Sequence, residues 1–377
     1  MSNFSKKILF LTGTRADFGK IKSLIQTLEE QQDFEAYVFV TGMHLQEIYG
    51  YTLIEIERCN FTNVFTFENH THETTMDLTL AKTIEGLSNY CKTINPDMIV
   101  VHGDRVETLA GAIVGSLNNI LVAHIEGGEV SGTVDELIRH SVSKLSHIHF
   151  VSNKQAAKRL LQMGEVKESI FTIGSPDIDI MFSSNLPSLE TAKKYYVIPF
   201  DEYALVMFHP VTTEFHSMKQ YAIDFVDSLL EDNHNYIVVF PNNDLGSQYI
   251  IDEFKRLEGN TRFRIFPSLR FEYFLTLLKN SQFIMGNSSA GIREAPYYGI
   301  PIINIGTRQQ NRAIHADIIN VNYSKKDIKE ALSKIDSHKV QISENDFGEG
   351  NSSKLFLQSL KKSDIWLLNH QKQFRDI

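Results

Sequence analysis

The sequence predicts an α/β protein made of two doubly wound parallel sheets, and three observations predict it. The chain has 377 residues, more than one hydrophobic core ordinarily serves. Short, continuous, β-branched apolar runs recur and end in Gly, Asp, His or Glu, as suits strands covered on both faces. Amphipathic helical patterns separate these runs, which is the βαβ rhythm of an open parallel sheet.

The first series of strands is KILFLTG (7–13), AYVFVTG (36–42), DMIVVHGD (97–104) and NILVAHIEGG (119–128), with the helical pattern GKIKSLIQTLEEQ after the first. A second series starts near residue 200: YALVMFHP (203–210), YIVVFPNND (236–244), RFRIFPS (262–268), SQFIMGNSS (281–289) and IPIINIGTR (300–308). The junction is expected in FTIGSPDIDIMFSSNLPS (171–188), which is rich in Ser, Pro and Gly. Residues 1–172 then form an amino-terminal domain and 173–354 a carboxy-terminal one. The tail has a helical pattern, and a helix over about 355–377 is expected to pack back on the first domain.

Composition narrows the function. The net charge is −9 and there is no basic stretch, which excludes nucleic acid as the main partner. A few local donors can still hold one small phosphorylated ligand. The two cysteines, Cys59 and Cys91, have neither metal-site nor disulfide-framework spacing, so a reducing compartment is expected. The opening MSNFSKKILFLTGTR reads as a first strand rather than a signal peptide. No apolar run is long enough to cross a membrane, so the expected location is the cytoplasm.

Ligands of open α/β sheets sit outside the carboxyl ends of the strands, where the polar clusters of this chain fall. Two domains presenting those ends to each other would form a cleft for a ligand with two halves. GNSSAGIREAPYYGIP (286–301) is the candidate phosphate site. Asn287 or Ser288 is predicted to cap a helix with Ser289, Ala290 and Gly291 in its first turn, where free N–H groups and the dipole attract an anion. Glu294, about one turn on, can take both hydroxyls of a ribose. Taken alone, an ordinary capped helix explains this motif better. TGTRADFGK (12–20) lacks G-x-G-x-x-G and G-K-[ST], which argues against a dinucleotide dehydrogenase and a P-loop ATPase. Its Arg15 can still serve as a fork donor to a diphosphate, and Arg308 and Arg312 can add charge. Bracing a loop is an equal reading for Arg312. His44, in TGMH, ends a strand and is expected to line the cleft, and Asn243 follows another strand.

The stretch HIEGGEVSGTVDELIRH (124–140) gathers acids and histidines after a buried strand. TVDELIRHSVSKLSH predicts a helix with a Thr133–Glu136 capping box and an apolar stripe of Val134, Leu137, Ile138, Val142 and Leu145. Asp135 has no such structural job, and Arg139 lies one turn on. Glu126 ends one buried strand and Asp104 the neighbouring one. Asp104, Glu126 and Asp135 are therefore expected to converge, with His209 of MFHPVTTE facing them from the second domain. Close carboxylates raise one another's proton affinity, which provides one acid and one base at neutral pH. Glu129 reads as charge-paired loop structure. HTHE (70–73) has an H-x-H spacing, but His102, His124, His140, His147 and His149 show no consistent ligand spacing, so no metal and no cofactor are expected.

TGTRADFGK, VTGMH, VVHGDRVETLAGA, HIEGGEVSGTVDELIRHSVSKLSH, FHPVTTE and GNSSAGIREAPYYGIP, in this order and spacing, resemble the UDP-N-acetylglucosamine 2-epimerases, up to about Arg312. The match is closest to the hydrolysing branch of bacterial sialic acid synthesis. The resemblance implies two Rossmann-like domains in a GT-B arrangement with a UDP-sugar between them. It implies release of UDP with inversion at C2, giving free N-acetylmannosamine. It makes Asp104, Glu126 and Asp135 the acid/base carboxylates, with His209 assisting at the sugar or the leaving phosphate. Arg15, Ser288, Ser289 and Glu294 would hold diphosphate and ribose, and uracil would lie against Phe271 or Tyr273. His44, Arg139, Asn243, Gly291 and Arg308 complete the expected binding set. Non-hydrolysing relatives carry a His-Arg-Arg-Glu type of turn where this chain has HPVTTE, which favours the hydrolysing branch and leaves Glu214 without a role. Two alternatives stay open: the same reaction on a UDP-2,4-diacetamido-6-deoxy sugar of the legionaminic acid route, and a GT-B UDP-sugar glycosyltransferase. A homo-oligomer, dimer or tetramer, is expected, with no nucleic acid or membrane partner.

Overall fold

The structure is a computed structural model, and it describes residues 5–70, 75–130, 134–309, 317–338, 340 and 347–374. The chain divides into two compact units. The first comprises Met1–Glu129, Asp135–Ser183 and Asp346–Ile377; the second comprises Val130–Val134 and Ser184–Asn345.

The first unit is built on strands β1 (Lys6–Thr12), β2 (Phe34–Val40), β3 (Val64–Thr66), β4 (Met98–His102), β5 (Leu121–Ile125), β6 (Ile148–Val151) and β7 (Ile170–Thr172). They form one sheet in the order β3-β2-β1-β4-β5-β6-β7, with every pairing parallel. The second unit holds β8 (Ala204–Met207), β9 (Tyr236–Val239), β10 (Phe263–Phe266), β11 (Ile284–Gly286), β12 (Ile302–Ile305) and β13 (Ile318–Val321), also all parallel, in the order β10-β9-β8-β11-β12-β13. The predicted fold class, α/β with two doubly wound sheets, is what the structure shows. Each predicted strand is present. The short strands β3, β6, β7 and β13 were not predicted.

Helices of the first unit are α1 (Arg15–Glu29), α2 (Leu53–Glu57), α3 (Met76–Ile94), α4 (Val106–Leu117), α5 (Val134–Leu145), α6 (Lys154–Gln162) and α7 (Pro176–Met181). The second unit contributes α8 (Leu189–Tyr195), α9 (Phe215–Glu231), α10 (Ser247–Phe254), α11 (Phe271–Lys279), α12 (Ala290–Arg293), α13 (Ala295–Tyr298) and α14 (Lys325–Ile335). α15 (Ser352–Leu360) then returns to the first unit. The chain crosses between units at 183/184, inside the expected junction stretch and eleven residues beyond the 172/173 boundary. The reason is α7, which packs on α1 and α15.

α15 is capped at its start and buried along one face. Asp179 of α7 accepts from the Ser352 and Ser353 N–H groups, each at 2.8 Å, and so caps the helix from outside its own sequence. Phe356 is fully buried against Phe10 and Phe150, with ring centroids 6.3 and 4.8 Å away. The helix ends at Leu360, and a short 3-10 turn at Ser363–Leu367 follows, in place of one helix running on through the tail. Beyond the turn, Lys372 Nζ donates to Ser146 O and to Glu165 Oε2, both at 2.6 Å. Glu165 also receives Lys144 at 2.8 Å and His149 Nε2 at 3.0 Å.

Each sheet reverses direction once. The switch lies between β1 and β4 in the first and between β8 and β11 in the second. In open α/β sheets that is where ligands bind, because the flanking connections diverge to opposite faces and leave a crevice.

The Glu165 cluster makes a stability prediction. Despite its burial, the lysines and His149 hold its carboxyl down at about 2. The contribution is therefore complete above the ordinary carboxylate value of 4.5 and is lost as pH falls towards 2. Glu165→Gln should cost about 3 kcal/mol near neutral pH, because it strands the partners of a buried pair. Urea unfolding checks this, and the cost should shrink below pH 4.

Candidate active site

The first unit places its chemistry around β4 and β5. In their register Val101 faces His124 and His102 faces Ile125, so Asp104 and Glu126 leave the sheet on adjacent strand ends. The Glu126 N–H donates to Phe150 O at 2.8 Å, and Glu126 takes φ +63°. A residue with a Cβ is strained there, a state that persists only where the surroundings over-determine it. Next comes Gly128, at φ +76°, where a Cβ would lie 2.4 Å from Ala156 O.

α5 has a polar buried face. Asp135, Ile138, Arg139, Val142 and Ser143 point inward, whereas Leu137, expected on the apolar stripe, is 68% exposed. A helix that exposes leucine and buries aspartate and arginine has given up packing for something else. Arg139 donates from Nη1 to the Glu126 carbonyl at 2.7 Å and from Nη2 to the Asp104 carboxylate. Its Nη1 also lies 4.0 Å from Glu129. Arg139, expected to hold substrate, is thus a buried bracket that ties Asp104 to the Glu126 backbone. Asp135 lies one turn earlier on the same face and is buried. His124, fully buried, joins Ser143 of α5 to the Gly103 carbonyl. Thr133 lies outside the described residues; Glu136 meets His140 Nε2 at 3.3 Å.

The Glu126 side chain sits in a polar nest. Ser175 donates to its Oε1, Lys20 Nζ is 3.4 Å from that oxygen, and His102 Nε2 is 3.1 Å from Oε2. Lys20 also pairs with fully buried Asp177 at 2.6 Å. Sequence reasoning missed this set. Lys20 carries the one readable signal, because it falls on the stripe with Leu24 and Leu28 that α1 buries.

The turn before α1 is a self-contained polar knot. Asp17 accepts from Thr12 Oγ1 at 2.5 Å and from the N–H groups of Gly13 and Thr14 at 3.0 and 3.1 Å. Thr14 and Asp17 form a reciprocal capping box. His44 was expected to line a cleft. It is instead wholly buried, with Nε2 3.0 Å from Thr12 Oγ1 and Nδ1 2.6 Å from Thr52 Oγ1. Both ring nitrogens are taken up in bracing this turn. Arg15 opens α1, its Nη2 3.9 Å from Glu55.

In the second unit Asn287, after β11, clamps the chain after β8. Its Oδ1 accepts from the His209 N–H at 2.7 Å, and its Nδ2 donates to His209 O at 2.8 Å. The Asn287 carbonyl accepts from Arg308 at 3.3 Å and Gln309 at 2.8 Å. Asn287 therefore gathers three strand ends, and it is not the helix cap expected of it. Asn242 N–H donates to His209 Nδ1 at 3.0 Å, so the neutral ring carries its proton on Nε2. Gly286 allows the clamp: a Cβ there would lie 2.0 Å from Met207 O.

The expected single helix after Ser289 is two four-residue helices, α12 and α13, with Glu294 between them and Pro296 in the second. Ser289 precedes α12 without a side-chain cap bond; Ser288 Oγ accepts from Ala290 N–H at 3.3 Å. Gly291 was expected to let a phosphate approach, but it faces β12, where a Cβ would be 3.2 Å from Ile302. Glu294 is buried. Asn243 lies in the turn after β9, next to Asn242. Phe271 opens α11 and is half-buried, whereas Tyr273 packs on Tyr195 and Tyr196 and under Arg270. Glu214 accepts from Thr307 Oγ1 at 2.6 Å. Arg312 and residues 71–73 of HTHE lie outside the described residues. Among the described residues, no three His, Cys, Asp or Glu side chains are grouped to hold a metal.

A profile of the family described as UDP-N-acetylglucosamine 2-epimerase matches residues 26–361. The chain belongs to the UDP-N-acetylglucosamine 2-epimerase family. It is 48% identical over 375 residues to a UDP-N-acetylglucosamine 2-epimerase of Neisseria meningitidis serogroup B, covering 99% of each chain. It is 34% identical to a UDP-N,N'-diacetylbacillosamine 2-epimerase (hydrolyzing) of Legionella pneumophila, covering 94% of this chain and 96% of the relative. Among solved structures, a Neisseria meningitidis UDP-GlcNAc 2-epimerase bound to UDP-GlcNAc superposes with a TM-score of 0.78 at 17% identity, covering 94% and 99% of the two chains. The epimerase fold is thus shared at low identity. No helix among the described residues is long and apolar enough to cross a membrane.

Two buried histidines should make the protein acid-sensitive. Burial holds both His44 and His124 at about 3, against an ordinary 6.5. The unfolded chain therefore takes up protons first, and stability falls as pH drops below 6.5. The slope approaches about 1.4 kcal/mol per pH unit for each ring. Urea midpoints should fall between pH 7 and 5, and a flat response would contradict neutral burial.

Proposed function

We propose that the protein is a hydrolysing 2-epimerase, converting UDP-N-acetylglucosamine and water to UDP and free N-acetylmannosamine, for sialic acid synthesis in the cytoplasm. The observation that carries this reading is the buried bracket of Asp104, Arg139 and Glu126, with Asp135 on the helix face that supplies the arginine. Such a cluster suits acid–base work on both faces of one carbon, which a single general base cannot perform.

The C2 proton of an N-acetyl sugar is far too weak an acid to be lost unaided. In the proposed first step a carboxylate takes that proton, the C2–H electron pair becomes a C1=C2 double bond, and the C1–O bond breaks with its pair leaving on UDP. A second carboxyl group then returns a proton to C2 from the opposite face. Water adds its oxygen at C1 and gives up its proton. One water is consumed and C2 is inverted. Glu126 and Asp135 serve C2 in this scheme. Asp104, paired with Arg139, orients the water, whose proton passes to the carboxylate that has just protonated C2. His209 donates from Nε2–H to the leaving phosphate oxygen, a role its tautomer suits. Arg15, Ser288, Ser289 and Arg308 hold the diphosphate, Glu294 the ribose and Phe271 the uracil. Donors aimed at the departing diphosphate lower the barrier to its loss.

The sugar has a second reading. The likeness to the Legionella pneumophila enzyme favours a UDP-2,4-diacetamido-6-deoxy substrate, on which the same carboxylates would act. Comparing kcat/KM on the two UDP-sugars decides between them. Incubation with UDP-N-acetylglucosamine, no acceptor and heavy water should release equal amounts of UDP and N-acetylmannosamine deuterated at C2. UDP released only with an acceptor would indicate a glycosyltransferase instead. Glu126→Gln and Asp135→Asn should each lower kcat by about 10²-fold or more while leaving UDP binding intact. Near-normal turnover in folded variants would reject these roles.

A further inference from the structure

We infer that Asp177 is a positioning residue that sets the proton affinity of Glu126, acting through Lys20. The inference rests on the reading that Glu126 exchanges a proton during turnover. Asp177 lies in the first turn of α7, on the segment assigned from sequence to the junction between domains. It is fully buried, and its Oδ2 is 2.6 Å from Lys20 Nζ. The same ammonium is 3.4 Å from Glu126 Oε1, and it too is buried. Two residues earlier, Ser175 donates to that Oε1.

The distances divide the work. A lone ammonium beside Glu126 would stabilise its ionised form strongly and leave a poor proton acceptor. Asp177 takes the shorter contact and neutralises most of that charge. Lys20 can then orient the Glu126 carboxylate without fixing it in the ionised state. Ser175 acts in the opposite sense, because a hydrogen bond to the ionised form favours that form. Among the groups around Glu126 are Lys20 from α1, His102 from β4, Ser175 before α7 and Arg139 of α5 at its carbonyl, with Asp177 behind Lys20. Asp104 is neutralised by Arg139. The segment 175–177 thus carries one residue of each sign of effect.

The test is the pH profile of kcat/KM for Asp177→Asn and Ser175→Ala, beside an infrared titration of the Glu126 carboxylate assigned against Glu126→Gln. Asp177→Asn should move the Glu126 limb to lower pH by about one unit, whether Glu126 acts as acid or base. Ser175→Ala should move it to higher pH, and Asp177→Glu should restore the wild-type limb. Unmoved limbs, or both variants moving the same way, would overturn the inference. Asp177→Ser replaces the amide should that variant not fold. If no neutral residue at 177 gives folded protein, the ion pair is structural and the inference falls. The infrared titration needs no turnover. A wild type that is inactive on UDP-sugars would sink the proposed reaction while leaving the tuning of Glu126 measurable.

Discussion

The guanidinium of Arg139, buried at the end of β5, is the interaction on which the polar end of the first unit depends. A buried cation costs several kcal/mol in desolvation unless its donors are met. Here Nη1 donates to the Glu126 carbonyl and Nη2 to the Asp104 carboxylate, which belong to adjacent strand ends. One side chain therefore fixes the spacing of two connections and the seating of α5. The left-handed backbone of Glu126 is tolerated because its N–H is held by β6 and its carbonyl by Arg139.

The second unit gathers its strand ends around a neutral side chain. Asn287 uses its whole amide to bind the backbone after β8, and its carbonyl receives the loop after β12. Both arrangements lie at or beside the reversal of a parallel sheet. A neutral clamp in one unit and an ionic bracket in the other suit different tasks: the first presents a ring with a defined tautomer, the second holds carboxylates in a low-dielectric setting where they interact strongly.

Nine strands were legible because continuous β-branched runs have few other uses, and their ends agree with the structure within about five residues. β3, β7 and β13 are partly exposed edge strands, so no continuous buried run marks them. β6 hides behind His149, which reads as polar but is buried against Glu165. Asp104, Glu126 and Asp135 were readable because each stands at a strand end or in a first helical turn with no local duty. Their partners were not. Lys20 and Asp177 are 157 positions apart, and only the folded chain shows that the supposed linker returns to the first helix. The Asn287 clamp was mistaken for a helix cap because Asn before a helix usually is one. His44 and Arg139 were taken for ligand contacts because burial of a complete polar group leaves no mark on sequence spacing.

The return of α15 bears on how the protein is made. Phe10, Phe150 and Phe356 share one core, so the first sheet is finished by a helix that begins at Ser352. During synthesis the amino-terminal strands emerge long before that helix exists, while every strand and helix of the second unit is encoded before it. The amino-terminal core therefore keeps an open apolar face until a helix encoded after the whole second unit has emerged.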